Sequence, residues 1–489
     1  MQSFYTLLSR NPTREAQICL FLTCISVIIL RYPDFLFNPR IWAEELIYLE
    51  TFLNTNSSHV GFDAIIYPSY YLLSSRLSAF FASQFAVEYA PLVLSICGFL
   101  IFLIPLIIII FSSSSYWKST SQKIILLIFI IFCCSTGEIW MNSTNTGFIL
   151  SLTTLLILID DEINSSTKKI FYSIILMFAF LSGPISLIMS PFLIFRFFAK
   201  KERIISYFCL IAFFIGSIHL SYYFISSSLE LVSHTNRGHL IDLPLFDRII
   251  YWISSNTVFP ILGYLGSKIF RTAILESTYS PELLHQKFES AGISFISSDF
   301  ISIASSLILA LVFIVLILIV FLSIKYLKKF EFFYFMGLFF AVSIIVTYMS
   351  LAGQGGFKYS LSTSFLLLLV IKIIQERSKL KFEKIFAFSL LGLSILAGLS
   401  EYKFRLVSYT PLNENYFHWP IWENEISIWK KDNSYKPLVW PYLKTGSLIE
   451  PKRTDIWKIN LNEPETWNNA GRKTYSNEAF KKLTTYEGK

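Results

Sequence analysis

The chain of 489 residues is 54% hydrophobic and 17% aromatic but only 15% charged, with a formal net charge of +8. Soluble domains carry about 25% charged residues, so this balance excludes an ordinary water-solvated protein and places much of the chain in lipid. The basic excess does not point to nucleic acid, because many lysines and arginines sit in short loops between apolar runs, where they act as topology signals.

The first apolar run, 16–31, follows Arg10 and Arg14, which are expected to hold the N-terminus in the cytoplasm. No small-residue cleavage site follows it, so it reads as a retained helix and not a signal peptide. A long far-side loop, 32–88, then carries Ile41-Trp42-Ala43-Glu44-Glu45, the tyrosine-rich Tyr67-Pro68-Ser69-Tyr70-Tyr71, and an amphipathic piece from Leu72 to Phe85 that contains Arg76. That piece is too polar for a span and suits an interfacial helix. Acidic residues near a bilayer boundary are costly unless they face water, protein or substrate. Taken alone, the pair Glu44-Glu45 reads equally well as solvated loop charges and as a functional site.

Spans follow at 89–112, 123–137 and 146–160, the last two separated by the far-side stretch Gly137-Glu138-Ile139-Trp140-Met141-Asn142-Ser143-Thr144-Asn145. Residues 170–199 lie between Lys168 and Lys169 on one side and Arg196, Lys200, Lys201 and Arg203 on the other. They read either as one long helix broken at Gly183-Pro184 or as two short spans; with both flanks cytoplasmic, an even number of crossings is required, which favours a short hairpin turning at Ser182-Gly183-Pro184. A span at 204–225 leads into a far-side loop, 226–299, in which 249–270 carries Asn256 and Pro260 and reads as re-entrant or interfacial. Four more spans, 300–324, 330–350, 360–375 and 383–400, complete the membrane part, with Gly353-Gln354-Gly355-Gly356-Phe357-Lys358-Tyr359 on the far side.

The expected protein is therefore an all-α polytopic membrane bundle of about eleven spans, with the N-terminus inside and the C-terminus outside. Residues 1–400 form the transmembrane domain and 401–489 a small far-side domain, whose tryptophans (Trp419, Trp422, Trp429, Trp440, Trp457, Trp467) argue for order. The six cysteines, Cys19, Cys24, Cys97, Cys133, Cys134 and Cys209, fall in or beside apolar runs, which excludes a disulfide framework in the polar loops and a CxxC metal site.

This topology gathers Glu44, Glu45, Arg76, the 138–145 stretch, the Gly353–Tyr359 loop and the tail in one compartment. A carboxylate there can serve as general base toward a sugar hydroxyl, while Arg76 and Lys358 supply charge for a leaving phosphate. Gly355 and Gly356 let backbone N–H groups approach an anion, although a glycine cluster between helices is more often a plain turn. Glu138, Asn142 and Asn145 are candidates for sugar hydroxyls or for helix capping. Tryptophans such as Trp42 and Trp140 are candidates for stacking on sugar or for interfacial anchoring. His234 and His239 share one loop without further ligands and make a poor metal pair. A divalent ion held by carboxylates stays open.

The motif Ile41-Trp42-Ala43-Glu44-Glu45 resembles the Phe-Trp-Ala-Glu-Asp motif in the first periplasmic loop of phage-encoded serotype-converting O-antigen glucosyltransferases, a motif shared with other bacterial membrane proteins of the GT-C type. Ser69-Tyr70-Tyr71-Leu72 with Arg76 is similar to the Gly-Tyr-Leu…Arg segment of that group, and Gly353 to Tyr359 to its Gly-x-Gly-x-Arg-Tyr segment. The tail from Trp440-Pro441 to Trp457 resembles the group's Trp- and Pro-rich periplasmic end. Ile41 stands for Phe, Glu45 for Asp, Tyr70 for Gly and Lys358 for Arg, so which of Glu44 and Glu45 is the base stays open. Lys358 lacks the bidentate geometry of arginine.

The resemblance implies a GT-C-like enzyme of the bacterial inner membrane that works on its periplasmic face. Its donor would be undecaprenyl-phosphate glucose and its acceptor lipid-linked O-antigen, and it would operate beside a flippase and a cytoplasmic donor-lipid synthase. Glu45, the preferred base, and Glu44 would be catalytic. Lys358, Arg76, Gly355 and Gly356 would bind the donor phosphate, and Trp42, Tyr70, Tyr71, Glu138, Asn142, Asn145 and Tyr359 the sugars. A lipid-sugar flippase or transporter and an O-antigen polymerase are the rival readings. The long loops lack the arginines expected of a polymerase, and 300–324 lacks the mid-bilayer charges expected of a transporter.

Overall fold

The computed structural model describes residues 11–31, 33–39, 41, 45, 48–49, 72–134, 139–228, 244–279, 298–349, 357–400, 417–418, 422–432 and 442–443. In chain order the helices are α1 (Arg14–Arg31), α2 (Leu73–Ser83), α3 (Ala90–Phe111), α4 (Thr120–Ile128), α5 (Thr146–Ile159), α6 (Ser166–Leu181), α7 (Pro184–Ile188) and α8 (Pro191–Lys200). They continue with α9 (Arg203–Ser228), α10 (Leu245–Ile253), α11 (Phe259–Tyr279), α12 (Ser298–Tyr326), α13 (Lys329–Met349), α14 (Leu361–Arg377), α15 (Lys381–Ser400) and α16 (Trp422–Lys431). One antiparallel pair, β1 (Phe417–His418) with β2 (Tyr442–Leu443), is the only sheet among the described residues.

Among the described residues, seven stretches are long and apolar enough to cross a membrane: Val87–Phe111, Arg203–Ser221, Leu245–Leu275, Ile303–Tyr326, Lys329–Thr347, Phe357–Arg377 and Lys381–Ser400. The pair Ser166–Leu181 and Pro184–Lys200 makes an eighth if counted as one bent span. The chain is a multi-pass membrane protein. At 22 residues, α3 is about 33 Å long, enough for a hydrocarbon layer of about 30 Å. The expected spans at 123–137 and 146–160 appear as shorter apolar helices, Thr120–Cys133 and Thr146–Ile159.

Two compact units emerge. One takes in Arg10–Ser115, Thr136–Asn236 and Lys403–Lys489. Its centre is α5, in which every residue from Ile149 to Ile159 is buried. Gly147 brings α5 against the α6–α7 corner, where an added Cβ would lie 2.8 Å from the Ser182 carbonyl oxygen. The chain turns by 115° at that corner, at the Gly183-Pro184 break expected from sequence. Pro184 and Pro191 stand in the first turns of α7 and α8, where a missing N–H costs nothing.

The C-terminal end of α5 is closed by charge. Arg196 Nη1 donates to the Leu158 carbonyl at 2.7 Å and Nη2 to Glu202 at 2.7 Å. Asp160, fully buried, accepts from the Tyr172 hydroxyl at 2.6 Å and pairs with Lys168 at 2.7 Å. In the loop beyond, burial pushes the Asp161 carboxyl up, but hydrogen bonds from the Ser115 hydroxyl, the Ser115 N–H and the Ser114 hydroxyl outweigh it and hold the group below the usual carboxylate range.

The amphipathic helix α2 forms where expected, but it presents its polar face to the protein. Ser74, Ser75, Arg76 and Ser78 are buried, whereas Phe81 is exposed. At the start of α3, Trp422 and Ile426 of α16 pack on Ala90 and Leu94, Trp422 Nε1 donates to the Val87 carbonyl at 2.8 Å, and Lys430 pairs with Glu88.

The other unit takes in Met1–Ser9, Tyr116–Ser135 and Arg237–Tyr402. Its centre is α14, buried from Leu361 to Ile374, while α12 is largely exposed and faces lipid. The ion pair Arg377–Glu331 ties α14 to α13 and Lys325–Glu383 ties α12 to α15, while Lys372–Glu376 pairs two residues of α14. The stretch expected to be re-entrant or interfacial, 249–270, is instead part of a long apolar helix interrupted twice. A π-helical turn, Ser254–Val258, joins α10 to α11, and Gly263 (φ 74°) breaks α11 with a left-handed backbone that its missing Cβ permits. Asn256 in the π turn accepts from the Thr363 hydroxyl at 2.6 Å, which satisfies a buried amide inside apolar packing.

Two glycines of α15 separate packing from helix propensity. A Cβ at Gly398 would lie 2.8 Å from Phe132 O and 2.9 Å from Phe132 C, both backbone atoms, whereas a Cβ at Gly392 would meet nothing within 4 Å. Gly398→Ala should therefore destabilise the detergent-solubilised protein by about 1–3 kcal/mol, and Gly392→Ala should leave it unchanged or more stable by up to about 1 kcal/mol. Thermal unfolding of the two variants beside the parent checks this.

Candidate active site at the head of α5

The turn leading into α5 owes its shape to three local features. Asn142 Oδ1 accepts from the N–H groups of Thr144 (2.9 Å) and Asn145 (3.3 Å), a side-chain turn that precedes a helix start. Met141 has φ 48°, a left-handed conformation that a non-glycine residue adopts only when its surroundings impose it. Gly98 of α3 supplies those surroundings, since a Cβ there would lie 2.7 Å from Met141 C and 2.8 Å from Asn142 N.

Onto this turn comes Glu45. Its side chain is buried, with the residue only 2% exposed, and Oε1 accepts from the Ser143 N–H at 2.8 Å and the Ser143 hydroxyl at 2.7 Å. The carboxylate thus lies close to the N-terminus of α5, where the helix dipole favours negative charge. Helix α2 closes one side. Ser75 Oγ donates toward the carbonyls of Ser143 (3.2 Å) and Thr144 (3.3 Å), and the Thr146 hydroxyl lies 2.7 Å from both Ser143 O and Ser74 Oγ. Ser74 N–H donates to Ser182 Oγ at 3.1 Å, which pins α2 to the α6–α7 corner. Arg76, next to Ser75, is 1% exposed. On the other side of the turn the Arg31 guanidinium lies 4.4 Å from the Trp140 ring centroid, and Phe102 packs on the same indole at 4.9 Å.

Among the residues singled out from sequence, the fold brings Glu45, Asn142 and Asn145 into one buried turn, with Arg76 on the helix that closes it. Asn145 offers its N–H to Asn142 and its carbonyl to Phe148. Trp42, Glu44, Tyr70, Tyr71, Glu138, Gly355 and Gly356 lie outside the described residues, as do His234 and His239. Lys358 and Tyr359 belong to the other unit. They sit on a 3-10 turn, Phe357–Ser360, with Lys358 Nζ 5.7 Å from the Tyr359 ring centroid. That turn is anchored by Phe357, which stacks on Phe259 at 4.8 Å and meets Tyr264 edge-on at 5.1 Å. Among the described residues no three His, Cys, Asp or Glu side chains come together as metal ligands.

Sequence reasoning missed Ser143, Ser75, Gly98, Met141 and Arg31. Ser143 carried a readable signal, because Asn-Ser-Thr-Asn ahead of an apolar run is a helix start. Gly98 and Arg31 carried none, since each sits within or at the edge of an apolar run that reads as lipid-embedded helix.

No protein-family model matches this chain, and no curated protein matches it. Among solved structures, an oligosaccharyltransferase from Archaeoglobus fulgidus, crystallised with zinc and sulfate, matches with a TM-score of 0.36 and 13% identity over 79% of this chain and 53% of its own. The chain spans about half the length of that protein.

The Glu45–Ser143 contact makes a thermodynamic prediction. A hydrogen bond to a charged group is worth about 1.5–3 kcal/mol, and neighbours that share one couple strongly. Ser143→Ala should destabilise the parent, but it should cost less in a Glu45→Gln background, with a coupling of about 1–2 kcal/mol. Additive unfolding free energies in that double-mutant cycle would show that the pair does not interact.

Proposed function

We propose that this protein is a membrane glycosyltransferase that moves glucose from undecaprenyl-phosphate glucose to lipid-linked O-antigen on the periplasmic face of a bacterial inner membrane, beside a flippase and a donor-lipid synthase. The observation that carries the reading is Glu45: a carboxylate buried in a polar turn of an otherwise apolar helical unit, oriented through Oε1 by two bonds from one serine. Charges at membrane helix ends are expensive and mark function. The motif around Glu45 is the one that resembles the glucosyltransferases.

In this mechanism Glu45 takes the proton of an acceptor hydroxyl. The acceptor oxygen attacks the anomeric carbon, the bond from that carbon to the phosphate oxygen breaks, and the polyprenyl phosphate leaves with the electron pair. Arg76 is assigned to the charge that develops on the phosphate. Lys358, with Gly355 and Gly356, is assigned to donor-phosphate binding on sequence grounds, and Glu44 to support of Glu45. A lipid-sugar flippase is the second reading, favoured by the broken helix α10–α11 with its buried Ser254, Asn256 and Thr257, the kind of interruption that lines transport paths.

The deciding experiment supplies undecaprenyl-phosphate glucose and lipid-linked O-antigen to purified protein in liposomes and follows both transfer and translocation. Glu45→Gln should cut turnover by about 100-fold or more with donor binding little changed, and Glu45→Asp should keep part of the activity. Lys358→Ala should lose transfer, while Lys358→Arg, which keeps the charge, should retain some of it. Near-parental transfer by both Glu44→Gln and Glu45→Gln would remove the carboxylates from the mechanism. Translocation without transfer would establish the flippase.

A further inference from the structure

The turn that holds Glu45 contains three buried polar atoms with no hydrogen-bond partner among the described residues: Trp140 Nε1, Asn142 Nδ2 and Thr144 Oγ1. Trp140 and Asn142 are each 1% exposed. Native proteins pair nearly all such groups, so three unpaired ones within five residues of chain call for a ligand. Their chemistry narrows it. An indole N–H and an amide NH₂ only donate, and a threonine hydroxyl does either, so the ligand must offer oxygen acceptors. None of the three carries charge. Between Asn142 and Thr144 stands Ser143, which carries the Glu45 carboxylate, and that negative charge opposes an anion inside the same turn.

From these observations we infer that Trp140, Asn142 and Thr144 read the hydroxyl and ring oxygens of a sugar ring held beside Glu45. The inference rests on the transferase reading for its substrate class and deepens it by naming the residues that select the sugar. Asn142 then has two jobs divided between its two amide atoms: Oδ1 shapes the turn through the Thr144 and Asn145 N–H groups, and Nδ2 faces the ligand. Trp140 acts through its N–H edge, in place of the ring stacking expected from sequence, because Arg31 covers its ring and Phe102 packs against it. Met141, held at φ 48° between Trp140 and Asn142, keeps the donors on one turn.

A merely structural turn and a sugar-reading turn respond oppositely to loss of these donors. Thr144→Val removes one unpaired polar atom while keeping shape, and Trp140→Phe removes another but leaves a cavity where the indole packed. If the donors await a ligand, Thr144→Val should be at least as heat-stable as the parent without ligand, and both variants should bind sugar about three- to tenfold more weakly. Asn142→Asp keeps the oxygen that shapes the turn and removes the NH₂. Binding is read as the ligand-dependent rise in unfolding temperature of the full-length protein in detergent. The probes are a polyprenyl-phosphate hexose, the same lipid phosphate without sugar, a free oligosaccharide of the O-antigen type, and inorganic phosphate.

The parent should be stabilised more by sugar-bearing probes than by sugar-free ones, and this difference should shrink in all three variants. Stabilisation by the polyprenyl-phosphate hexose would assign the turn to the donor sugar, and stabilisation by the free oligosaccharide to the acceptor. The proposal is overturned if the sugar adds nothing over lipid phosphate or inorganic phosphate, which leaves these donors to water, or if the variants keep the parental preference. Sugar binding without transfer would sink the transferase reading and leave this inference standing. Parental transfer by Trp140→Phe and Thr144→Val would do the reverse.

Discussion

A carboxylate taken out of water must be compensated at once, and the bonds from Ser143 to Glu45 are part of how this protein does so. Both donors come from one residue, one turn ahead of α5, so these two bonds depend on α5 starting where it does. That start depends on Asn142 closing the turn on the N–H groups of Thr144 and Asn145, on Gly98 admitting the turn's backbone against α3, and on Gly147 admitting α5 against the Ser182 carbonyl. Helix α2 completes the arrangement by turning its serines inward. In water that face would point outward; here it bonds to the turn through Ser74 and Ser75 and leaves Phe81 exposed.

The two ends of α5 meet their buried polar groups in different ways. At its C-terminal end the Asp160 charge is met by Lys168 and Tyr172, and the Leu158 carbonyl is capped by Arg196. That closure meets the charges locally, although Arg196 Nε stays buried without a hydrogen-bond partner among the described residues. At the N-terminal end, Trp140 Nε1, Asn142 Nδ2 and Thr144 Oγ1 are buried without partners among the described residues, on the turn that holds the Glu45 carboxylate.

The second unit follows the same economy with different means. Its π turn and the left-handed Gly263 interrupt a helix inside apolar surroundings, and each freed polar group needs a side chain nearby. Thr363 answers Asn256, Ser267 answers Ser254, and Ser394 donates to the Pro260 carbonyl at 2.5 Å. The ion pair Arg377–Glu331 joins the consecutive helices α13 and α14, whereas Lys325–Glu383 joins α12 to α15 across 58 positions of chain.

Apolar run length and basic loops were enough to read the membrane class, most helices, the break at Gly183-Pro184 and the amphipathic α2, because these follow from local composition. Glu45 stood out for the same reason: a carboxylate close after a tryptophan at a span's end is anomalous wherever it folds. What sequence left undecided was contact. The partnership of Glu45 with Ser143 joins residues 98 positions apart. The inward face of α2, the Arg31–Trp140 stack and the close approach permitted by Gly98 likewise join segments that no periodicity relates. The expectation for 249–270 rested on its Asn, Pro and glycines. Tertiary packing answered with a long broken helix, since neighbouring Ser and Thr side chains satisfy the groups that an isolated segment would leave bare. Composition alone determined that much of the chain lives in lipid. Only the tertiary structure decided which buried polar groups meet, because that depends on the close packing of helices far apart in sequence.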